Sequence, residues 1–233
     1  MSGFPAIEVQ STRVARLPAS LPNRTRRVYD ALAELYPLST MLFHSTAHRR
    51  ALRLSGIEDG MSVLEVATGS GEMFRRLAQV NRNGHTVGVD LSPKMAARTQ
   101  RVTRGKFPGA LADCQAVDAR AMPFRDESFD ALVCCYLLEL LPCEDIESTV
   151  AEFRRVLRPG GKLTLILIGQ NAAFFNSMYQ VCTKVAPAFW GRQVEERLPA
   201  IMKGHRLKIL QDQTVRQIFY PSRVLVASKQ SSK

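Results

Sequence analysis

The sequence is short of the features that mark several protein classes. Its 233 residues hold five cysteines and one tryptophan. No two cysteines form a C-x-x-C pair and their number is odd, so neither a disulfide framework nor a structural zinc site is expected. Cys134 and Cys135 sit in an apolar run and read as reduced core residues, which fits a cytoplasmic setting. No apolar run approaches the roughly 18 residues that a membrane span needs. The longest, Leu163 to Ile168, has the length of a strand. No charged stretch followed by an apolar one opens the chain, so no secretory signal is expected. There is no H-x-x-H or comparable ligand cluster, and no metal is expected. Acidic residues are also scarce: 21 Asp and Glu face 32 Lys and Arg, for a net charge of +11. Such an excess attracts polyanions such as nucleic acid or an anionic lipid surface. No dense Lys/Arg block turns that bias into a motif.

What is present suits one globular domain. The hydrophobic share is 45% and the charged share 23%, both ordinary for a soluble protein. The first 23 residues contain Pro5, Pro18 and Pro22 without periodicity and read as an extended or disordered arm. Residues 24–55 read as a helical cap. Val28, Leu32 and Leu35 fall at helical spacing, Pro37 breaks the pattern, and a second helix is expected from Thr40 to Leu54.

From residue 56 to the C-terminus strands and helices alternate. Val63 to Val66 reads as a buried strand and Glu72 to Val80 as a helix. Thr86 to Asp90 is a short strand. Ser92 and Pro93 begin a helix to about Thr103. Strands follow at Leu111–Ala116 and Phe129–Cys135, then a helix at Ile146–Leu157. Pro159-Gly160-Gly161 reads as a turn into the strand Leu163–Ile168. This alternation implies an α/β fold with a doubly wound, mostly parallel sheet. Leu207–Val215 and Val224–Ser228 lack a helix between them and must pair antiparallel. Ligands of such sheets bind at the carboxyl ends of the strands, near the switch in strand order.

A glycine loop stands at that place. The first strand ends in Glu65-Val66-Ala67, and Thr68-Gly69-Ser70-Gly71 leads into a helix. Glycine lets backbone approach a ligand closely. A dinucleotide loop would place a third glycine at position 74, and Phe74 stands there. Glu65 would repel a pyrophosphate but suits a cationic ligand, such as the amino group of a methionine moiety. No G-K-[ST] follows, which removes a nucleoside triphosphate loop. Asp90 ends the second strand, 19 residues after Gly71. It can accept from both hydroxyls of a ribose, or cap the helix that follows.

Four blocks, VLEVATGSGE, VGVDLSPKM, VDARAMPFRDESFDALVC and FRRVLRPGGKLTL, occur in the order and at the spacing of class I S-adenosylmethionine-dependent methyltransferases. The last two resemble the ubiquinone/menaquinone-biosynthesis C-methyltransferase subgroup. The likeness runs from about Gly56 to Ile168 and is consistent with a closing hairpin. It implies a Rossmann-like fold with N-terminal capping helices and a substrate-cap insertion over 171–199. It also implies roles. Glu65, Ala67, Gly69 and Gly71 line the methionine side of the cofactor. Asp90 holds the ribose, with Leu91 against the adenine. Asp118 and Ala119 sit at the adenine edge, and Cys135 to Leu138 flank the methionine end. The family usually has glycine where this chain has Ala67. Alanine fits ordinary extended backbone, so binding is expected to survive. Asp130 is expected to serve a turn or cap.

The implied reaction moves a methyl group from S-adenosyl-L-methionine and leaves S-adenosyl-L-homocysteine. A carbon or protonated nitrogen acceptor also needs a general base. His44 and Glu139 are the candidates, with His48, Tyr29 and Tyr36 near them. The segment Asn171 to Pro199 holds Phe174, Phe175, Met178, Tyr179, Phe189 and Trp190. Such a supply suits an apolar or ring-shaped acceptor, for example a quinone precursor or a phospholipid headgroup, with peripheral contact to an anionic membrane. Methylation of RNA or protein, or a non-catalytic relative of the fold, are the other readings.

Overall fold

The computed structural model describes residues 36–169, 194, 197–217 and 221–231, and the side chains of residues 36–44 lie outside that description. The expected arm, the first expected helix and most of the expected insertion fall outside it. The elements in chain order are α1 (Tyr36–Ser55), β1 (Ser62–Val66), α2 (Glu72–Val80), β2 (His85–Asp90), α3 (Pro93–Lys106) and β3 (Leu111–Ala116). Then come β4 (Phe129–Cys135), a 3-10 turn (Leu138–Leu140), α4 (Cys143–Val156), β5 (Leu157–Ile168), α5 (Leu198–Gly204), β6 (Leu207–Val215) and β7 (Ser222–Lys229).

The seven strands form one sheet in the order β3-β2-β1-β4-β5-β7-β6. β1 to β5 pair in parallel, and β7 runs antiparallel to both β5 and β6. β7 enters between β5 and β6, and its burial explains why. Val224, Leu225, Val226 and Ala227 are all buried, which suits a strand covered on both faces. β6 carries Lys208, Gln211, Asp212 and Gln213 and takes the edge.

Successive apolar residues of each strand serve opposite layers. Leu64, Leu132, Leu163 and Leu165 pack with Ile146, Val150 and Phe153 of α4 and Leu198 of α5. Val63, Ala131, Val133 and Ile166 pack with Ala47 and Ala51 of α1 and Met73 and Leu77 of α2. This is the mostly parallel α/β sheet with a closing antiparallel pair that the sequence implies.

Four local readings need correction. α1 begins at Tyr36, so Pro37 lies in its first turn and does not break it; a first-turn proline lacks only an N–H that the helix would not use. α4 begins at Cys143, because Glu144 and Asp145 complete a polar first turn that apolar spacing does not mark. α5 was not expected; with seven residues it is too short to show a periodicity. Pro159-Gly160-Gly161 lies inside β5 as a bulge: Phe129 pairs with Leu157 and Ala131 with Lys162, so the four intervening residues bow out, with Gly160 at φ 77°. Asp130 steadies that bulge. Its Oδ2 accepts from the Ser62 N–H at 2.8 Å and its Oδ1 pairs with Arg158.

One glycine fixes how α2 sits on the sheet. A Cβ on Gly88 of β2 would fall 2.8 Å from both the Phe74 ring and the Thr68 methyl. Both neighbours are buried, at 0% and 4% exposure. Gly88→Ala is therefore expected to cost about 1–3 kcal/mol through overpacking, read as a lower urea midpoint at unchanged slope.

Candidate functional site

The cavity opens at the carboxyl ends of β1, β2, β3 and β4, where the strand order reverses beside β1. Each strand contributes the residues that follow it. Glu65 to Ser70 come from β1 and Asp90 to Ser92 from β2. Val117 to Ala119 follow β3, and Cys135 to Leu137 follow β4.

The glycine loop is held by backbone and by one carboxylate. The N–H groups of Ala67 and Thr68 both donate to the Val89 carbonyl, at 2.8 and 3.2 Å. Asp90 Oδ2 accepts from the Gly69 N–H at 2.7 Å, and its Oδ1 accepts from the Ser92 N–H at 2.9 Å. Asp90 thus lies at the cavity and also anchors the start of α3. Ser92 Oγ caps α3 by accepting from the Met95 N–H at 3.3 Å. Gly69 and Gly71 have φ of 49° and 75°, the left-handed region that glycine adopts freely. A Cβ on Gly71 would also fall 2.7 Å from Thr99 Oγ1. Gly71 does not line the cavity; it turns the chain into α2 behind it.

Ala67 corrects an expectation. Its φ is 62°, in the left-handed region and not in extended backbone. There an L side chain meets its own carbonyl, at a cost of roughly 1–2 kcal/mol. Tyr136, which follows β4, shares this conformation at φ 55°. Its N–H donates to the Ile166 carbonyl at 2.8 Å, and its hydroxyl lies 2.7 Å from Ser222 Oγ. Strained backbone of this kind gathers at functional sites.

The walls are apolar on one side, with Leu91, Met95, Val117, Ala119, Leu140 and Leu141, and acidic at the floor. Glu65 is 1% exposed, and its Oε2 has no hydrogen-bond partner. Burial pushes its carboxyl well above the usual range, and the charges of Asp90 and Glu72 add to that. A buried carboxylate without a partner is costly to keep ionised. A ligand cation above it would remove the cost, so the residues present suit an ammonium-bearing nucleoside. Asp118 also lines the cavity. Burial raises its carboxyl, but hydrogen bonds from Arg120 outweigh that and hold it below the ordinary value. Arg120 grips both its oxygens and reaches Asp145 at 2.8 Å.

All the expected cofactor residues except Gly71 therefore meet at one cavity: Glu65, Ala67, Gly69, Asp90, Leu91, Asp118, Ala119 and Cys135. Burial pushes the Cys135 thiol up, which makes it a wall and not a nucleophile. The expected bases fare differently. Glu139 is buried and does not line the cavity; its Oε1 accepts from the Ile168 N–H at 2.7 Å and ties the 3-10 turn to the end of β5. His44 lies on α1, but its side chain is outside the described residues. His48, one turn later, is 5% exposed and lines the cavity. Glu72 lines it as well, a residue that sequence reasoning treated only as the start of a helix.

Two stability tests follow from this geometry. Ala67→Gly is expected to stabilise the ligand-free protein by roughly 0.5–1 kcal/mol, the left-handed strain relieved less the added chain entropy, seen as a thermal midpoint about 2 °C higher. Glu65 tests the acidic floor through pH. Its folded form binds a proton more tightly than the unfolded chain, so its penalty is absent below the ordinary glutamate range and grows as pH rises through and above it. Glu65→Gln should match the wild type near about pH 3.5 and exceed it in stability near about pH 8, by chemical denaturation without ligand.

Known proteins share both the segment and the fold. Residues 63–161 match the family described as Methyltransferase domain. A 2-phytyl-1,4-naphtoquinone methyltransferase from Nostoc punctiforme is 30% identical over 148 residues, which cover 63% of this chain and 62% of that protein. A ubiquinone/menaquinone biosynthesis C-methyltransferase from Hahella chejuensis is 31% identical over 147 residues, 60% of this chain and 57% of its own length. The chain thus spans less than two thirds of these relatives. Among solved structures, an N-methyltransferase from Bradyrhizobium japonicum in complex with S-adenosyl-L-homocysteine superposes with a TM-score of 0.71, covering 89% of this chain and 99% of that one, at 16% identity. At that identity the likeness concerns the fold. Residues 63–161 thus match a methyltransferase domain, and in segment and fold the chain resembles the Rossmann-like, S-adenosylmethionine-dependent methyltransferases.

Proposed function

We propose that this protein transfers the methyl group of S-adenosylmethionine to a small apolar or ring-shaped acceptor of the quinol type. The observation that carries the cofactor is Glu65: a buried carboxylate oxygen without a hydrogen-bond partner, at the floor of a cavity whose glycine loop is pinned by Asp90. Glu65 would take the cofactor's ammonium and Asp90 its ribose. Leu91, Val117 and Ala119 offer an apolar cleft for the adenine, with Asp118 at its edge. When bound, the cofactor supplies a methyl already activated by the sulfonium, so the protein's task is to hold and orient an acceptor.

Two features support the acceptor class. The relatives from Nostoc punctiforme and Hahella chejuensis carry quinone chemistry in their names. The cavity lining is also apolar at Leu137, Leu140 and Leu141, which follow β4. A carbon acceptor must also give up a proton. His44 is the proposed proton acceptor, because a spacing of four on α1 sets it on the helix face of cavity-lining His48. The net charge of +11 suits a lipophilic acceptor drawn from an anionic membrane surface.

Isothermal titration with S-adenosylhomocysteine tests the cofactor. The wild type should bind, and Asp90→Ala should lose roughly tenfold or more in affinity, since both a ribose acceptor and the clamp on Gly69 go. No binding by the wild type, or full affinity in the variant, overturns the assignment. Transfer of labelled methyl to a short-chain 2-prenyl-1,4-naphthoquinol tests the acceptor. Turnover should fall in His44→Gln while S-adenosylhomocysteine still binds. Label appearing on RNA or protein instead would overturn the small-acceptor reading.

A further inference from the structure

We infer that the outer face of α1, α2 and α3 docks on an anionic lipid bilayer. The inference extends the acceptor reading above, since a lipophilic acceptor has to be collected from such a surface, but its observations do not involve the cofactor cavity.

The positive charge is gathered on one side of the sheet. Right-handed crossovers carry β1 through α2 to β2, and β2 through α3 to β3, in one direction across the sheet. Both helices therefore cover the same face. α1 covers that face as well, against Val63 and Val133. α1 has three arginines and no acid, and α2 has two arginines and Glu72. α3 has three arginines, two lysines and no acid. On the opposite face α4 holds four acids and two arginines. The net charge of +11 is thus not spread evenly.

The cations form a band that crosses all three helices. Arg76 of α2 donates to Ser45 Oγ of α1 at 3.2 Å. Arg75 turns to the other side. Burial lowers its guanidinium from the ordinary value, Glu72 opposes this, and the like charge of Arg98 on α3 adds to it. Lys94, Arg98 and Arg101 follow at spacings of four and three, which sets them along one stripe of α3. Lys94 and Arg101 are exposed, as are Arg49 and Arg53 on α1. Opposite charge is sparse: Glu72 answers Arg76 at 2.8 Å, and Asp113 of β3 answers Arg104 at 3.0 Å. Like charges held together repel, and a polyanion laid against them removes that cost.

Two observations favour lipid over nucleic acid. Among the described residues no aromatic ring is exposed on this face, so the stacking platform that single-stranded bases use is missing. Aliphatic side chains are exposed instead. Val80 ends α2, Val102 lies near the end of α3 and Leu111 opens β3, at 39%, 37% and 60% exposure. Cations beside apolar side chains suit lipid headgroups and the acyl boundary beneath them. The cavity lies past the first turns of α2 and α3, at the other end of these helices, so a bilayer on the face leaves its mouth open.

Co-sedimentation with vesicles tests this without any cofactor. The wild type should bind phosphatidylcholine vesicles that contain about one third phosphatidylserine, should ignore pure phosphatidylcholine, and should be released by salt. Lys94→Glu with Arg101→Glu should lower the partition roughly tenfold or more, since each cation at such a surface is worth about fivefold. Arg49→Glu with Arg53→Glu on α1 should do the same, and this pair decides the matter if the first fails to fold. Lys203→Glu with Lys208→Glu, both exposed on α5 and β6 away from the face, changes the net charge equally. That pair should cost less than about threefold. No binding by the wild type, full binding by the folded α1 and α3 pairs, or equal loss in all three pairs overturns the inference. Salt-sensitive capture of single-stranded RNA in place of vesicles overturns it too, as does self-association that the α3 pair abolishes. A wild type that binds vesicles but not S-adenosylhomocysteine overturns the cofactor reading alone.

Discussion

The carboxylate of Asp90 is the joint on which the site depends. Its two oxygens hold two different chain segments, the glycine loop through Gly69 and the start of α3 through Ser92. Those segments follow β1 and β2, which are neighbours in the sheet. The cleft between them is therefore set by a rigid carboxylate at the end of a strand, and not by the conformational freedom of the glycines. Glycine makes the turn possible, and the carboxylate chooses which turn is made. The left-handed backbone of Ala67 belongs to the same arrangement. Its N–H and that of Thr68 converge on one carbonyl, Val89, and this geometry outweighs the strain of placing alanine there.

The charge pattern follows from that joint. Three carboxylates, Glu65, Glu72 and Asp90, lie around one loop in a protein whose net charge is +11. The acidity of the cavity is thus local and runs against the surface field. Without ligand, Glu65 is a burden to the fold, since burial and like charge both oppose its ionisation. With a cation above it the same features become binding energy. A destabilised ionisable group in a cleft is how stability is commonly traded for a prepared site.

Much of this was legible in the sequence, for identifiable reasons. β3, β4, β6 and α2 carry their boundaries in Leu111–Ala116, Phe129–Cys135, Leu207–Val215 and Glu72–Val80, where the spacing of apolar residues changes. The cavity-lining residues were legible because they stand at or after strand ends in order. What stayed hidden depends on geometry that no local pattern encodes. The left-handed φ of Ala67 and Tyr136 comes from tertiary hydrogen bonds. Glu72 reads as an ordinary first-turn acid until α1 brings His48 against it. Glu139 follows the fourth strand, where a general base was expected, but its carboxylate turns to the Ile168 N–H. Position in the chain gives only its neighbourhood; side-chain direction decides its role.

Phe74 shows how far one residue can carry such an argument. In a dinucleotide loop the third glycine lets helix and strand approach closely. Here the same contact exists with the sizes exchanged. The helix supplies a phenylalanine, and the strand supplies Gly88, whose missing Cβ leaves room for the ring and for the Thr68 methyl. The buried ring props α2 on the sheet where a dinucleotide fold would let backbone meet backbone. The loop above it also faces Glu65, which a pyrophosphate could not tolerate. Steric fit and charge thus select against the same ligand by independent routes. A glycine at position 74 alone would not make this a dinucleotide site. It would remove the prop and leave a void beside Gly88, while the acidic floor that repels phosphate would remain.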